Sequence, residues 1–288
     1  MAEQDQARYY ASTQYLLPAD QAETKRLNEQ HLIVVKAFEN RLSLAPLTLH
    51  TGDKVLESAA GSGIWALDFA RENSANGIEV EIECIDISFK QFPNTFSPHL
   101  HFSVHSVVNL PREWSNMFSY VHQRLVIFAM NDSLWRSAIN ELLRVLQPGG
   151  WIELVEFETK RFHWGVGPSS DKLYSLTDKL YAEKGIIKNV SDYLCTLLTE
   201  VGFVNVHCET REVPVGGFAK QVGNGYTGEH CGEVCMAMKE LLVKGGDSGG
   251  VTAEEFDGLV QGAVREWNDS TEVYVKYYTI FAQKAMAS

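Results

Sequence analysis

The sequence predicts an α/β fold, in which a mostly parallel sheet is flanked by helices. Between residues 53 and 157, short apolar runs alternate with amphipathic segments of helical spacing, and this alternation is typical of such sheets. Hydrophobic residues make up 45% of the 288 positions, which suffices for the core of one large domain. The sequence contains no visible internal repeat, so we expect a single sheet with additions.

The predicted elements begin with a helix over 18–42. Pro18 stands near its start, Asp20 and Glu23 form a capping-box pattern, and apolar residues follow at helical spacing. A glycine-rich turn at 59–63 joins the first strand to the next helix. The other elements of this half are strands at 53–58, 79–87, 101–105, 119–128 and 150–157, and helices at 64–72 and 132–146.

The C-terminal half continues with helical spacing and ends on a β-rich run. Thr252 and Glu255 form a second capping box at the start of the last helix. The sheet is then expected to hold seven strands, with a helical insertion between the last two. Helices are predicted at 171–184, 190–201, 227–243 and 252–267, and strands at 203–213 and 273–282.

The composition disfavours several classes of function. The chain has 25 Lys and Arg against 37 Asp and Glu, a net charge of −12, whereas nucleic-acid phosphates require clustered cations. The first residues lack the pattern of a secretory signal, and the longest apolar stretch, at 125–130, is far shorter than a membrane span. Five cysteines fit a reducing compartment. We therefore expect a cytoplasmic protein without a nucleic-acid or membrane partner.

The turn after the first strand carries the chemistry. Residues 58–63 are small, so the backbone can approach a ligand closely. Asp86 ends the next strand, about 20 residues later, where a carboxylate accepts hydrogen bonds from ribose hydroxyls. The glycine pattern over 61–66 also fits a dinucleotide site. Glu57 precedes the turn, and a carboxylate there repels a pyrophosphate but suits the ammonium of a sulfonium amino acid.

Several separate motifs resemble those of class I S-adenosylmethionine-dependent methyltransferases. Residues 55–70 are similar to their motif I, Asp86 falls on their ribose-binding acidic position, and residues 147–153 resemble the Pro-Gly-Gly turn before their fifth strand. The resemblance extends over about 9–284. Three segments are similar to one subgroup, the fungal LaeA-like methyltransferases. They are residues 15–20 together with Glu23, Arg26, Leu27 and His31, residues 63–68, and residues 120–124.

This resemblance implies a Rossmann-like seven-stranded sheet with an antiparallel last strand, and S-adenosylmethionine as the cofactor. It divides the chain into an N-terminal helical lid segment at 1–50 and a methyltransferase domain at 51–288. Helical cap insertions are then expected at about 158–200 and 214–270. The residues implied to contact the cofactor are Tyr15, His31, Glu57, Ala59, Gly61, Gly63, Asp86, Ile87, His105, Ser106 and Gln123.

Two places depart from the family pattern. Ala59 replaces the first glycine of motif I, and because alanine lacks the freedom of glycine at positive φ, we expect a tighter turn. His105 and Ser106 stand where the family has an acidic residue near the adenine. Either side chain can still form a hydrogen bond to the adenine amino group. These departures favour, as an alternative, a binding or regulatory protein that keeps the cofactor site.

The catalytic candidates follow the fourth and fifth strands. His122 and Arg124 are two residues apart near a strand end, so we expect both side chains on one face, beside the methionine end of the cofactor. His163, together with Glu156 and Trp164, is expected to form the acceptor pocket, with His163 as a base.

With this resemblance, the sequence predicts methyl transfer to a small-molecule acceptor of secondary metabolism, in which oxygen is the favoured acceptor atom and nitrogen and carbon stay open. No metal is expected, because His230, Cys231 and Cys235 supply three ligands at most and the cysteines share an apolar helix face. Two alternatives remain. One is a LaeA-like regulatory or protein-directed methyltransferase, and the other is an NAD-dependent oxidoreductase.

Overall fold

A seven-stranded sheet forms the centre of the structure, a computed structural model that describes residues 16–17, 21–159, 164–244 and 251–286. Its strands are β1 (Lys54–Ser58), β2 (Glu81–Asp86), β3 (Leu100–Val104), β4 (Phe118–Arg124), β5 (Leu146–Phe157), β6 (Phe203–Pro214) and β7 (Tyr274–Lys284). Their order is β3-β2-β1-β4-β5-β7-β6. Strands β1 to β5 pair in parallel, and β7 is antiparallel to both of its neighbours. The predicted sheet with an antiparallel last strand is confirmed.

Helices cover the sheet and extend beyond its carboxyl edge. Thr252 caps α9 through its hydroxyl, which accepts a hydrogen bond from the Glu255 N–H, so the predicted capping box is present. Asn131 caps α3 in the same way, by accepting from the Leu134 N–H. The helices are α1 (Gln21–Ala37), α2 (Ile64–Ala75), α3 (Asp132–Val145), α4 (Pro168–Lys184), α5 (Val190–Val201), α6 (Gly217–Val222), α7 (Gly228–Ala237), α8 (Lys239–Lys244) and α9 (Ala253–Asp269).

The two faces of the sheet pack against different apolar clusters. On one face, Val55 and Tyr120 are buried with Trp65 of α2. On the other face, Leu56 and Val121 are buried with Trp135 of α3. Since neighbouring residues of a strand point to opposite faces, Val55 and Leu56 of β1 pack in different clusters.

Some predicted boundaries were wrong. The strand predicted at 119–128 ends at Arg124, because Leu125 has a φ of 57° and a 3₁₀ turn follows at Ile127–Ala129. The helix predicted over 227–243 divides at Met238 into α7 and α8, and the short helix α6 was missed. The first helix ends at Ala37, before two residues with positive φ. Across the described ranges, every helix is either too short or too polar to span a lipid bilayer.

The turn after β4 is fixed from the neighbouring strand β5 by Glu156. Its carboxyl group is fully buried and accepts hydrogen bonds from the N–H groups of Val126, at 2.9 Å, and Ile127, at 3.2 Å. Burial raises the pKa of Glu156 to about 8, against the opposing effect of these two donors. The protonated form therefore predominates in the folded chain at neutral pH.

We expect Glu156 to make the folded state less stable as the pH rises. Between about pH 4.5 and 8 the folded state retains a proton that the unfolded state has released, so this group lowers the free energy of unfolding by up to ~1.4 kcal/mol per pH unit. Glu156→Gln removes the titration, and its stability relative to the wild type should increase across this window. Urea denaturation at pH 5, 6.5 and 8 measures the difference.

The matched control is Glu254→Gln, at an exposed position in the first turn of α9. Its difference from the wild type should stay nearly constant from pH 5 to 8. A constant difference for Glu156→Gln as well would contradict the assigned role.

Candidate functional site

A cavity of about 340 Å³ lies at the carboxyl ends of β1, β2 and β4, the edge at which open parallel sheets bind ligands. Helix α1 lines it on one side through Leu27, Gln30 and His31. The turn after β1 and the segment after β3 also contribute. Of the residues that the sequence assigned to the site, the lining includes His31, Ala59, Gly61, Asp86, Ile87, His105, Ser106 and Arg124.

In the turn after β1, Ala59 adopts the left-handed backbone conformation, which was not predicted for an alanine at this position. Ala59 has a φ of 56°, Gly61 of 53° and Gly63 of 73°. The turn is held by hydrogen bonds from the Ala60 N–H to the Ile85 carbonyl and from the Gly63 N–H to the Ala60 carbonyl, both at 2.8 Å. These bonds impose the conformation on Ala59 despite its Cβ.

The two glycines of the turn have different reasons to be glycine. A Cβ on Gly63 would lie 2.6 Å from the Phe102 ring, so this position is constrained by packing, and Gly63 is not part of the cavity lining. A Cβ on Gly61 would lie 3.2 Å from Leu27 Cδ1 and would intrude where α1 closes over the turn. Gly61 therefore keeps the backbone accessible on the cavity side.

The carboxylate of Asp86 binds the backbone of the turn after β1 and of the residues that follow β2. Oδ2 accepts a hydrogen bond from the Gly61 N–H at 3.0 Å, and Oδ1 accepts from the Ser88 N–H at 3.1 Å. Burial raises the pKa of Asp86, and the Gly61 N–H is the largest opposing influence. A carboxylate has about four acceptor positions, so Asp86 can accept further hydrogen bonds from hydroxyl groups in the cavity.

Arg124 presents a cation to the cavity and is held from behind by α1 and α2. Its Nη1 donates to His31 Nδ1 at 2.8 Å, and His31 Nε2 lies 2.9 Å from Asp68 Oδ2. Because a guanidinium can only donate, Nδ1 must be unprotonated and the ring proton must lie on Nε2. Burial, and next the charge of Arg124, lowers the pKa of His31 to about 4. The imidazole is therefore a neutral link between Arg124 and the carboxylate of Asp68.

Glu57 and His122 differ from their expected placement, since neither lines the cavity. The strand register sets them side by side on the α2 face, where His122 Nδ1 lies 2.5 Å from Glu57 Oε2 and the His122 ring stacks on Trp65 at 3.8 Å. Burial raises the pKa of Glu57 and lowers that of His122 to about 3. The pair is thus a buried contact beneath the site, and Arg124 alone of the two strand-end residues reaches the cavity.

Gln123 also lies beneath the cavity. It is fully buried, and its Oε1 accepts a hydrogen bond from the Ser58 hydroxyl at 2.8 Å, so it supports the residue at which β1 enters the turn. Two further residues named from the sequence, Tyr15 and His163, lie outside the described residues. Sequence reasoning did not assign Gln30 and Leu125 to the site, although the spacing of Gln30 from Leu27 on α1 contained the signal.

A second cavity, of about 90 Å³, adjoins the first and shares Leu27, Gln30 and Leu125 with its lining. It lies among β5, β7 and the helices α4, α7 and α9. Leu125, which has the positive φ noted above, stands where the two cavities meet. The aromatic residues around the second cavity are Phe128, Phe157, Trp164, Tyr174, Tyr181, Tyr226, Trp267 and Tyr277.

Comparison with known proteins identifies the family. The methyltransferase domain profile matches residues 3–208. The chain belongs to the methyltransferase domain family. It is 31% identical over 208 residues to the N-methyltransferase sirN of Leptosphaeria maculans, with 70% of each chain covered. It is 26% identical over 275 residues to the N-methyltransferase tcpN of Claviceps purpurea, covering 92% of this chain and 95% of the other.

The LaeA-like resemblance is confirmed as well. The secondary metabolism regulator LAE1 of Gibberella fujikuroi is 25% identical over 158 residues, which cover 52% of this chain and 48% of LAE1. The chain is accordingly an enzyme of the S-adenosylmethionine-dependent methyltransferase class, with relatives in fungal secondary metabolism. S-adenosylmethionine is its methyl donor.

Solved structures share the fold. The phosphoethanolamine N-methyltransferase 2 of Haemonchus contortus, in complex with S-adenosyl-L-methionine, has a TM-score of 0.51 at 15% identity, over 90% of this chain and 53% of that one. The [4+2]-cyclase SpnF has a TM-score of 0.51 at 19% identity, over 97% of this chain and 87% of that one. Because a transferase and a cyclase share this architecture, the details of the reaction must be argued from the site residues.

We expect Ala59→Gly to stabilise the protein. A non-glycine residue in the left-handed region costs roughly 1–2 kcal/mol, and the greater freedom of glycine in the unfolded chain offsets part of the gain. The free energy of unfolding should therefore increase by about 0.5–1 kcal/mol, measured by urea denaturation. Ala60→Gly is the matched control, because Ala60 does not have a positive φ, and it should destabilise. Equal destabilisation by both substitutions would contradict the strain at Ala59.

Proposed function

We propose that this enzyme transfers a methyl group to a nitrogen atom of a small, apolar molecule of secondary metabolism. The observation that carries this proposal is the pair of adjoining cavities, one with a carboxylate and a guanidinium in its lining and the other rich in aromatic residues. Oxygen was the acceptor favoured by the sequence. The printed names of sirN and tcpN, both N-methyltransferases, support nitrogen instead.

The residues of the larger cavity fit the chemical groups of the donor. Asp86 is suited to the ribose hydroxyls, and His105 and Ser106, which follow β3, are suited to the adenine edge. Arg124 is suited to the carboxylate at the methionine end, because a guanidinium binds a carboxylate through two parallel hydrogen bonds. The bound cofactor supplies an electrophilic methyl group on a sulfonium.

The protein positions the reacting groups and excludes water from the site. His31 and Asp68 hold the guanidinium of Arg124 toward the cavity, and Glu156 fixes the turn that follows it. The segment at 1–50 is proposed as a lid, supported by the contact of α1 with the cavity. The cap insertions at about 158–200 and 214–270 are proposed to enclose the acceptor, supported by their residues around the second cavity. An apolar enclosure favours the uncharged, nucleophilic form of an amine nitrogen.

Ligand binding distinguishes a methyltransferase from an oxidoreductase. S-adenosylhomocysteine at 100 times its dissociation constant should add about 2.7 kcal/mol of apparent stability in a thermal-shift experiment, and NADH should add none. Asp86→Asn should weaken S-adenosylhomocysteine binding by at least tenfold. The control is Asp53→Asn, which precedes β1 at the opposite edge of the sheet. Stabilisation by NADH alone would overturn the proposed function.

A truncated ligand tests the role of Arg124. Arg124→Gln should weaken S-adenosylhomocysteine, which carries the carboxylate, by about tenfold, or ~1.4 kcal/mol. It should leave the affinity for methylthioadenosine, which lacks the amino-acid portion, within twofold of the wild type. Calorimetric titration gives both affinities. Arg71→Gln is the matched control, because Arg71 also contacts Asp68, at 2.8 Å, but is exposed on α2. Equal losses for the two ligands would contradict this role.

The kind of acceptor requires a separate measurement. Similarity to LAE1, a regulator of secondary metabolism, favours a protein-directed methyltransferase as the second candidate. The full chain should be incubated with methyl-labelled S-adenosylmethionine and an extract of the producing organism, which is then separated into small-molecule and protein fractions. We expect the label in the small-molecule fraction, and label confined to protein would replace the first candidate by the second.

A further inference from the structure

A polar atom in the lining of the second cavity has no hydrogen-bond partner among the described residues. Most polar side chains around it have partners, such as Tyr226 and Tyr277, whose hydroxyl oxygens lie 2.7 Å apart. His230 lines the same cavity and is only 8% exposed, yet its Nε2 is buried and has no hydrogen-bond partner among the described residues. Burying a polar atom without a partner costs free energy, so a ligand or a water is expected to form a hydrogen bond with it.

The surroundings of His230 define its chemical state. The ring stacks on Tyr226, with the centroids 4.7 Å apart, and Nδ1 faces Glu29 Oε2 at 3.8 Å. A proton on Nδ1 is favoured by the facing carboxylate. Burial, and next the charge of Arg26, lowers the pKa of His230 to about 4, so the ring is neutral at physiological pH. Nε2 is then a hydrogen-bond acceptor within an apolar lining.

The position of the cavity connects this atom to the reaction. Leu27, Gln30 and Leu125 belong to both linings, so a molecule in the second cavity lies next to whatever occupies the first. A volume of about 90 Å³ suits a ring-sized part of a molecule, and the aromatic walls favour a flat one.

We propose that the second cavity binds a ring of the methyl acceptor, and that His230 Nε2 accepts a hydrogen bond from an N–H or O–H group of that ring. This inference rests on the proposed function and adds the class of acceptor: a neutral, ring-containing molecule with a hydrogen-bond donor at its edge. His230 is a positioning residue, which selects the orientation of the acceptor through one directional contact.

Two probes that differ in a single donor test the contact. Indole carries an N–H group, and benzofuran has nearly the same shape without it. In the full chain saturated with S-adenosylhomocysteine and labelled with ¹⁵N-histidine, indole should bind saturably and shift the His230 Nε2 resonance. Benzofuran should bind at least threefold more weakly and leave that resonance in place. The absence of saturable indole binding, or equal affinity for the two probes, would overturn the proposal.

Variants separate the contact from a general effect on the fold. His230→Phe retains a ring against Tyr226 and should abolish the preference for indole over benzofuran. His207→Phe is the matched control, because His207 stacks on Phe281 outside both cavities, and it should retain the preference. If His230→Phe does not fold, the shift of the His230 Nε2 resonance in the wild type on addition of indole still tests the proposal. An unchanged preference in a folded His230→Phe would overturn the proposal.

Binding of S-adenosylhomocysteine is measured in the same samples. Its affinity should be within twofold of the wild type in both histidine variants. If the wild type binds S-adenosylhomocysteine but not indole, the acceptor pocket is refuted and the proposed function stands. If it binds indole but not S-adenosylhomocysteine, the proposed function fails instead.

Discussion

The parallel pairing of β1 with β2 and β4 is the constraint on which the rest of the site depends. It brings the ends of three strands to one edge, where Ser58, Asp86 and Arg124 all border the same cavity. Asp86 then fastens the turn after β1 through the Gly61 N–H. The carboxylate and the guanidinium are held by strands that are not adjacent in sequence, so the site exists only when the sheet is assembled.

The same register distributes buried polar groups between the two faces of the sheet. Glu57 lies opposite His122 and contacts it on the α2 side, whereas Ser58 lies opposite Gln123 and contacts it on the other side. Each pair gives a buried polar side chain on β1 a partner on β4, through His122 Nδ1 in one pair and Gln123 Oε1 in the other. These paired contacts support the floor of the cavity, and they explain why adjacent residues of the same motif do not all face the ligand.

Much of the fold was predictable from the sequence because it depends on local patterns. The alternation of apolar runs predicted all seven strands, and the capping box at Thr252 predicted the start of α9. Asp86 was assigned to the site by its spacing from the turn, and Ala59 by its place in the segment that resembles motif I, and both line the cavity. The positive φ of Leu125 was not predictable, because it follows from the hydrogen bonds of the assembled sheet, among them the one from its N–H to the Val155 carbonyl. The contact of the Glu57 side chain with His122 depends on the register between β1 and β4, which the sequence of neither strand encodes alone.

Strands β6 and β7 are neighbours in the sheet, although the helices α6 to α9 lie between them in the sequence. Pro214 and Tyr274 are register partners, so the chain leaves the sheet at one and returns beside it at the other. The helices α6 to α9 between them contribute His230 and several walls of the second cavity. Closing a longer or shorter excursion between two adjacent points costs little, about 0.6 kcal/mol per doubling of length. The length of this segment can therefore change at little cost to the sheet, so the walls of the second cavity can vary while the residues around the first cavity are retained.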